Sequence, residues 1–286
     1  MGKITDYAQV AALLAGNVFL IDGPDGTKTI TSQNAANGLL GLVENDAVFS
    51  MLDDVAAPEL HRMIFRGKSL GTSLTAAQKA QIQAGTFKGL WLGDYWTINS
   101  KVYRIVDFDY WLNCGDTAFT SHHLVVMPDK VMYNATMNDT NTTDGGYVGS
   151  KMYTTNLANA KSTLTAAFGT ALLTHRSYLV NAVSNGKPSG GAWVDSQVEL
   201  PNEVMMYGTA FFTPANDGST IPTLYTIDNS QLALMKARPE FIKTRENQWL
   251  RDVVSAALFA AVHYHGLPSY HYASSSLGVR PVIAVG

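Results

Sequence analysis

Two segments settle what kind of layer this chain can build. Gly89-Leu-Trp-Leu-Gly-Asp-Tyr-Trp96 and Tyr103-Arg-Ile-Val-Asp-Phe-Asp-Tyr-Trp111 are dense in aromatic and β-branched residues and flank a polar Asn99-Ser100-Lys101 turn. Such side chains fit a pleated, half-buried surface, so the pattern predicts a β-hairpin whose bulky rings enter one core. The composition allows a large core, since 46% of the 286 residues are apolar and only 15% are charged, enough buried surface to offset the entropy of ordering the chain.

The same numbers exclude several function classes. Twenty Lys and Arg against 23 Asp and Glu give a net charge of -3, which offers no basic footprint to a nucleic acid. The lone cysteine, Cys114, rules out an intrachain disulfide framework and a cysteine-based zinc cluster. The first apolar run, Val10 to Ile21, is broken by Gly16 and Asn17 and is too short for a bilayer, so no membrane insertion is expected. No small-residue cleavage site follows a basic start, which predicts a soluble protein made in a cytoplasm without a signal peptide.

Along the chain, Asp22-Gly-Pro-Asp-Gly26 should join two short extended pieces, Val18 to Ile21 and Thr27 to Ile30. Gln33 to Val43 and Ala47 to Ile64 read as helical. Thr75-Ala-Ala-Gln78 has capping-box spacing, and Gly85 should end the helix it opens. The period then changes from helical to alternating, which places a domain boundary at 85–88 and divides the chain into 1–86 and 87–286. His122 to Met127 should be a strand, Asn134 to Gly146 an Asn/Thr/Gly loop with too few apolar residues to pack, and Asn156 the N-cap of a helix carrying Leu157, Leu164, Phe168 and Leu172. Gly186 to Gly191 reads as a turn, and strands are expected near Glu203 to Phe212. Pro281, inside the terminal Gly278 to Val285 strand, must sit at an edge or bulge. The fold class is α+β.

Catalytic motifs are weak. Gly67-Lys68-Ser69 lacks the glycine five positions upstream that a phosphate loop requires, because Arg62 is there. Cys114 has no base nearby in sequence. Asp107 and Asp109 share a strand face but read as turn-proximal solvated acids. His122 and His123 point to opposite faces, one of them a core histidine with a hydrogen-bond partner. His263, His265 and His271 lie close together, yet only Asp252 could complete a metal shell around them. No cofactor, no metal and no catalysis are expected.

The stretch Asp252 to Leu277, DVVSAALFAAVHYHGLPSYHYASSSL, contains no Lys, Glu, Gln, Met or Trp. It is rich instead in Tyr, His, Ser and Ala, the alphabet of recognition surfaces, and HYHGLPSYHY has neither a two-residue nor a 3.6-residue apolar period. The alternative is that Phe259 to Tyr272 packs into a core or between subunits.

Trp249-Leu250-Arg251, Ser255, Phe259, Val262, Gly266, Ala273-Ser274 and Gly278-Val-Arg-Pro-Val282 resemble the C-terminal half of C-type lectin-like variable proteins of phages and their hosts, targets of diversity-generating retroelements. In that family adenine-directed mutagenesis produces codon sets that exclude the five missing residue types. Leu92-Gly-Asp-Tyr-Trp96, the His122-His123 strand and Met137 to Ser150 are also similar to C-type lectin-like modules of phage structural proteins. Val18 to Lys28 is similar to attachment segments of phage fibre or head-fibre proteins.

The resemblance implies a C-type lectin-like ligand-binding domain over 87–286 and a virion-attachment and oligomerisation region over 1–86. Trp249, Arg251, Gly278, Arg280 and Pro281 would be scaffold. Asp252, Ala256, Ala257, Phe259, Ala261, His263, Tyr264, His265, Leu267, Ser269, Tyr270, His271 and Tyr272 would face the target. It implies a virion-surface homotrimer whose partners are a bacterial surface protein or glycan and other virion proteins. A purely structural virion component, with the tail aromatics buried between subunits, is the competing expectation.

Overall fold

Asn99 and Ser100 both adopt left-handed backbone angles (φ 48° and 62°), the conformation that a two-residue hairpin turn needs to match strand twist. The predicted hairpin is therefore present, but its strands are Tyr95–Ile98 and Lys101–Phe108, so Gly89 to Asp94 and Asp109 to Trp111 lie outside it. The computed structural model describes residues 18–23, 26–31, 46–55, 57–213 and 230–286. The expected helix at 33–43 lies outside them.

The chain divides into Met1–Ala56 and Ala57–Gly286. The described parts of the first unit are the antiparallel hairpin β1 (Val18–Gly23) and β2 (Gly26–Thr31), the two expected extended pieces with Asp22, Gly23 and Gly26 of the expected turn added to the strands, and helix α1 (Asp46–Val55). The helix expected over Ala47 to Ile64 is in fact two. Pro58 opens the second, α2 (Pro58–Met63), at the position where a missing N–H costs nothing.

The expected boundary at 86/87 is not where the units divide. Helix α3 (Ala76–Gln83) carries the predicted Thr75/Gln78 capping box and buries Ile82 in the same core as Phe87, Leu90 and Leu92. Arg66 clasps the buried Asp94 carboxylate, and the Leu92 amide donates to His61 O at 3.0 Å. The change of period marks a helix-to-strand switch inside one unit.

The second unit is α+β, with two five-stranded sheets and a separate hairpin. One sheet has the order β3 (Tyr95–Ile98), β4 (Lys101–Phe108), β5 (Leu124–Pro128), β14 (Ile283–Val285), β7 (Leu172–Leu173), all antiparallel. The other runs β12 (Pro268–Tyr272), β11 (Leu258–Val262), β10 (Gln248–Val253), β13 (Leu277–Val279), β6 (Tyr133–Ala135), with only β10 and β13 parallel. The hairpin pairs β8 (His175–Ser184) with β9 (Lys187–Ser196). Its turn is Asn185-Gly186, so the predicted Gly186 to Gly191 turn is shorter than expected and Pro188 to Gly191 belong to the strand.

The last strand is split. β13 and β14 belong to different sheets, and Arg280-Pro281 crosses between them, which keeps proline out of both ladders. Helix α4 (Leu157–Phe168) buries Leu157, Ala160, Leu164 and Phe168 as one stripe, and Phe168 meets the Trp96 and Tyr103 rings edge-on at 6.1 and 5.4 Å. Burying a ring of this size contributes roughly 2–3 kcal/mol.

Several local expectations fail for identifiable reasons. Asn156 is not an N-cap, because a helical turn at Met152–Asn156 already precedes it and its side chain donates to Thr136 O instead. Leu172 has left the helix for β7. The strand expected near Glu203 to Phe212 is a short helix, α5 (Glu203–Tyr207), N-capped by Asn202. Asp107 is fully buried rather than solvated, held by Arg62 and by the Ala233 and Phe108 amides.

His123 is the predicted core histidine, while His122 is partly exposed and meets Asp109 at 2.7 Å. His123 Nε2 faces the Trp111 amide at 3.1 Å, so it must accept, and Nδ1 donates to Ser121 O at 2.9 Å. That geometry requires the neutral ring, and burial pushes its pKa down to about 4. The unfolded ring takes a proton near pH 6.5 and the folded one does not until about pH 4. This histidine's contribution is therefore intact above about pH 6.5, and about 3 kcal/mol of it is lost as the pH falls to about 4. Urea unfolding of wild type and His123→Gln at about pH 7 and about pH 4.5 checks this. Equal pH slopes in the two proteins would exclude it.

Candidate ligand-binding site

The β10–β11–β12 ribbon is fixed by its neighbours before any ligand is considered. Trp249 is fully buried and its Nε1 donates to Ala135 O at 2.9 Å. Arg251 Nη1 meets the buried Glu199 Oε1 at 3.1 Å, where His175 Nε2 also sits, at 3.0 Å, and the Ser177 hydroxyl donates. Burial alone pushes the Glu199 carboxyl up, but Arg251 and His175 beside it more than reverse this and hold it below the usual carboxylate value. Gly278 lies so close to Val131 that a β-carbon would come within 2.3 Å of its Cγ1, so glycine is required for the close approach. Arg280 is buried with its guanidinium on three carbonyls, Pro128, Phe241 and Ile242, and burial lowers its pKa to about 10.

The loop expected to be unpacked is a clamp. Met137 and Thr143 are fully buried, and the loop holds both ends of the ribbon. Thr143 donates from its amide to Ala256 O (3.0 Å) and from its hydroxyl to Ser255 O (2.8 Å). The Asn138 amide donates to Ala273 O, and Ser274 donates from amide and hydroxyl to Asn141 Oδ1. Short polar side chains substitute here for an apolar core.

Cross-strand register then decides which ribbon residues reach solvent. Val253, Phe259 and His271 share one face with Trp249, Ala261 and Ser269, while Leu258, Ala260, Tyr270 and Tyr272 share the other. β11 is an interior strand covered on both faces, so Phe259 and Ala261 are fully buried and do not face a target, contrary to expectation. Ser269 and His271, on the same face of the edge strand β12, are half-buried, and His271 meets the Trp249 ring edge-on at 6.4 Å. Burial also lowers the His271 pKa, with His263 adding to the effect.

Tyr264, Leu267, Tyr270 and Tyr272 are 44, 63, 46 and 58% exposed, and Ala256 and His265 are exposed as well. The aromatic rings are therefore not packed inside their own chain. His263 and Ala257 are half-buried. Asp252 is half-buried and accepts from the Glu203 amide at 2.7 Å, so its carboxylate serves the frame.

The β11–β12 turn is tied down by hydrogen bonds. Gly266 N donates to His263 O at 2.7 Å, His263 N to Leu267 O at 2.8 Å, and the Tyr264 amide to Asn247 Oδ1 at 2.8 Å. Gly266 has φ +94°, outside the range of most L-residues. The Tyr264 ring lies against the His263 and His265 rings, tilted to both, at 4.1 and 4.0 Å between centroids, and the two imidazoles are themselves 5.3 Å apart.

Two aromatic residues the sequence reading missed join this surface. Phe211 (54% exposed) and Phe212 stand on a turn whose Phe211, Phe212 and Thr213 amides all donate to the buried Glu203 carboxylate. Phe212 meets Tyr270 edge-on at 4.8 Å, and Phe211 meets Tyr207 at 5.5 Å. The available signal was an adjacent pair of Phe following the left-handed Gly208 that ends α5, a helix stop rather than a strand. Rigid amphipathic rings held by backbone contacts give contact area at low entropy cost.

No protein-family profile, curated protein or solved structure was found to match the chain. Among the described residues no helix is long and apolar enough to cross a membrane.

Proposed function

We propose that the chain is a phage virion protein, a fibre or head fibre, that attaches the particle to a bacterial surface protein or glycan. In this reading 57–286 holds a C-type lectin-like binding domain, the β11–β12 ribbon is its variable part, and the N-terminal region joins other virion proteins and a homotrimer. The observation that carries it is the partition within one ribbon: Phe259 and Ala261 are buried in the frame, while Tyr264, Leu267, Tyr270 and Tyr272 project from it. Side chains that project from a fixed frame can change without altering the fold, as a diversified binding surface requires. Multiple copies on one particle raise a weak contact to useful avidity.

The surface is aromatic and its one ribbon carboxylate is engaged by the frame, so attachment should respond little to salt. Adsorption of bead-displayed full-length chain to a panel of bacterial strains at about 50 and about 500 mM salt should differ by less than about ten-fold. A larger loss at high salt points to ion pairing and contradicts this reading. Protection of Tyr264, Tyr270 and Tyr272 from solvent in an assembled particle would favour the structural virion component instead.

A further inference from the structure

Beside the aromatic surface, on the Tyr264 side of the ribbon, lies a shallow groove of about 530 Å³. Its volume falls within the range of small-molecule sites, but it is not lined as an apolar pocket would be. Tyr264 and His271 supply rings from the ribbon, and Asn134, Asn247, Ser275 and Ser276 supply amides and hydroxyls from the frame. Arg245 and Glu246 stand exposed at the same groove. Arg245 has φ +69°, an uncommon conformation for a residue other than glycine and one that clusters at binding sites. Asn247 accepts the Tyr264 amide, which fixes the base of that ring against the groove.

This lining matches a polyhydroxylated ring. Each sugar hydroxyl both donates and accepts, and the groove offers donors only from Arg245, acceptors only from Glu246, and both from Asn and Ser. The C–H face of a sugar suits an aromatic ring, whereas an apolar peptide would leave these polar groups unpaired.

We propose that the groove binds a sugar ring of a bacterial surface polysaccharide, stacked on Tyr264 with its vicinal hydroxyls held by Arg245, Glu246 and the neighbouring amides and hydroxyls. This rests on the receptor-binding reading above and names its ligand class.

The test uses the full chain on beads and cells of the strains that capture it. Cells are pretreated either with periodate, which cleaves vicinal diols, or with proteinase K. Periodate should lower capture at least about ten-fold and protease should not. Tyr264→Ala should lower capture to a similar extent and Arg245→Ala several-fold, with unchanged circular dichroism and thermal midpoint. Capture that survives periodate and is lost to protease overturns the sugar proposal and leaves receptor binding standing. Capture by no strain removes both.

Discussion

Arg280→Ala should lower the free energy of unfolding by about 3–5 kcal/mol, the largest effect of any single substitution considered. The guanidinium is buried and donates to the carbonyls of Pro128, Phe241 and Ile242 at 2.8, 3.0 and 3.3 Å. Hydrogen bonds from a charged donor are worth about 1.5–3 kcal/mol each, and truncation also leaves a void and unpaired carbonyls. Against this stands the relief of burying a cation, visible in its lowered pKa, which keeps the net loss well below the sum of the three bonds. Arg280→Lys should not rescue it, since an ammonium cannot reproduce a planar fork spanning separate carbonyls. Guanidinium chloride unfolding of the two variants checks both statements. A loss under about 1 kcal/mol for Arg280→Ala would show that the crossing between the two sheets does not depend on this side chain.

How much of this was legible in the sequence depended on whether the signal was local. The Thr75/Gln78 cap and the Asn99-Ser100 turn depend on a few adjacent residues and are legible in them, whereas Pro281 lies in a crossing between two sheets and not at the edge or bulge of one terminal strand. The burial of Phe259 and Ala261 was not legible, because it depends on β11 lying between β10 and β12, a pairing set by chain far apart in sequence. The same holds for the Asn134 to Gly146 loop, which packs through hydrogen bonds to Ser255, Ala256 and Ala273 together with the buried Met137 side chain in the core. Asp107 looked like a surface acid because its partner, Arg62, is contributed by a helix assigned to the other side of the expected boundary. At the candidate site, the odd composition of Asp252 to Leu277 singles out the segment that carries the exposed aromatic rings. Only the register could separate its outward positions from its inward ones, and only the Glu203 turn could bring Phe211 and Phe212 beside Tyr270.

The second large effect concerns binding rather than folding. Changing Tyr264, His265, Leu267, Tyr270 and Tyr272 together to serine removes most of the outward ribbon surface while leaving Trp249, Phe259, Ala261, Arg251 and Arg280 in place. Exposed substitutions away from special backbone positions each change stability by no more than about 0.5 kcal/mol, so the five together should cost under about 2.5 kcal/mol. For a folded unit of this size that corresponds to a thermal midpoint lowered by less than about 8 °C. Aromatic anchors dominate binding energy at such surfaces, so capture of bacterial cells should fall at least about hundred-fold.

The most direct measurement is therefore one variant read twice: the thermal midpoint and the cell adsorption of this five-serine chain beside wild type. The account predicts a cooperative transition close to wild type and adsorption reduced to background. Loss of cooperative folding would show that these side chains hold the frame together, and undiminished adsorption by a folded variant would show that the ribbon is not what meets the cell.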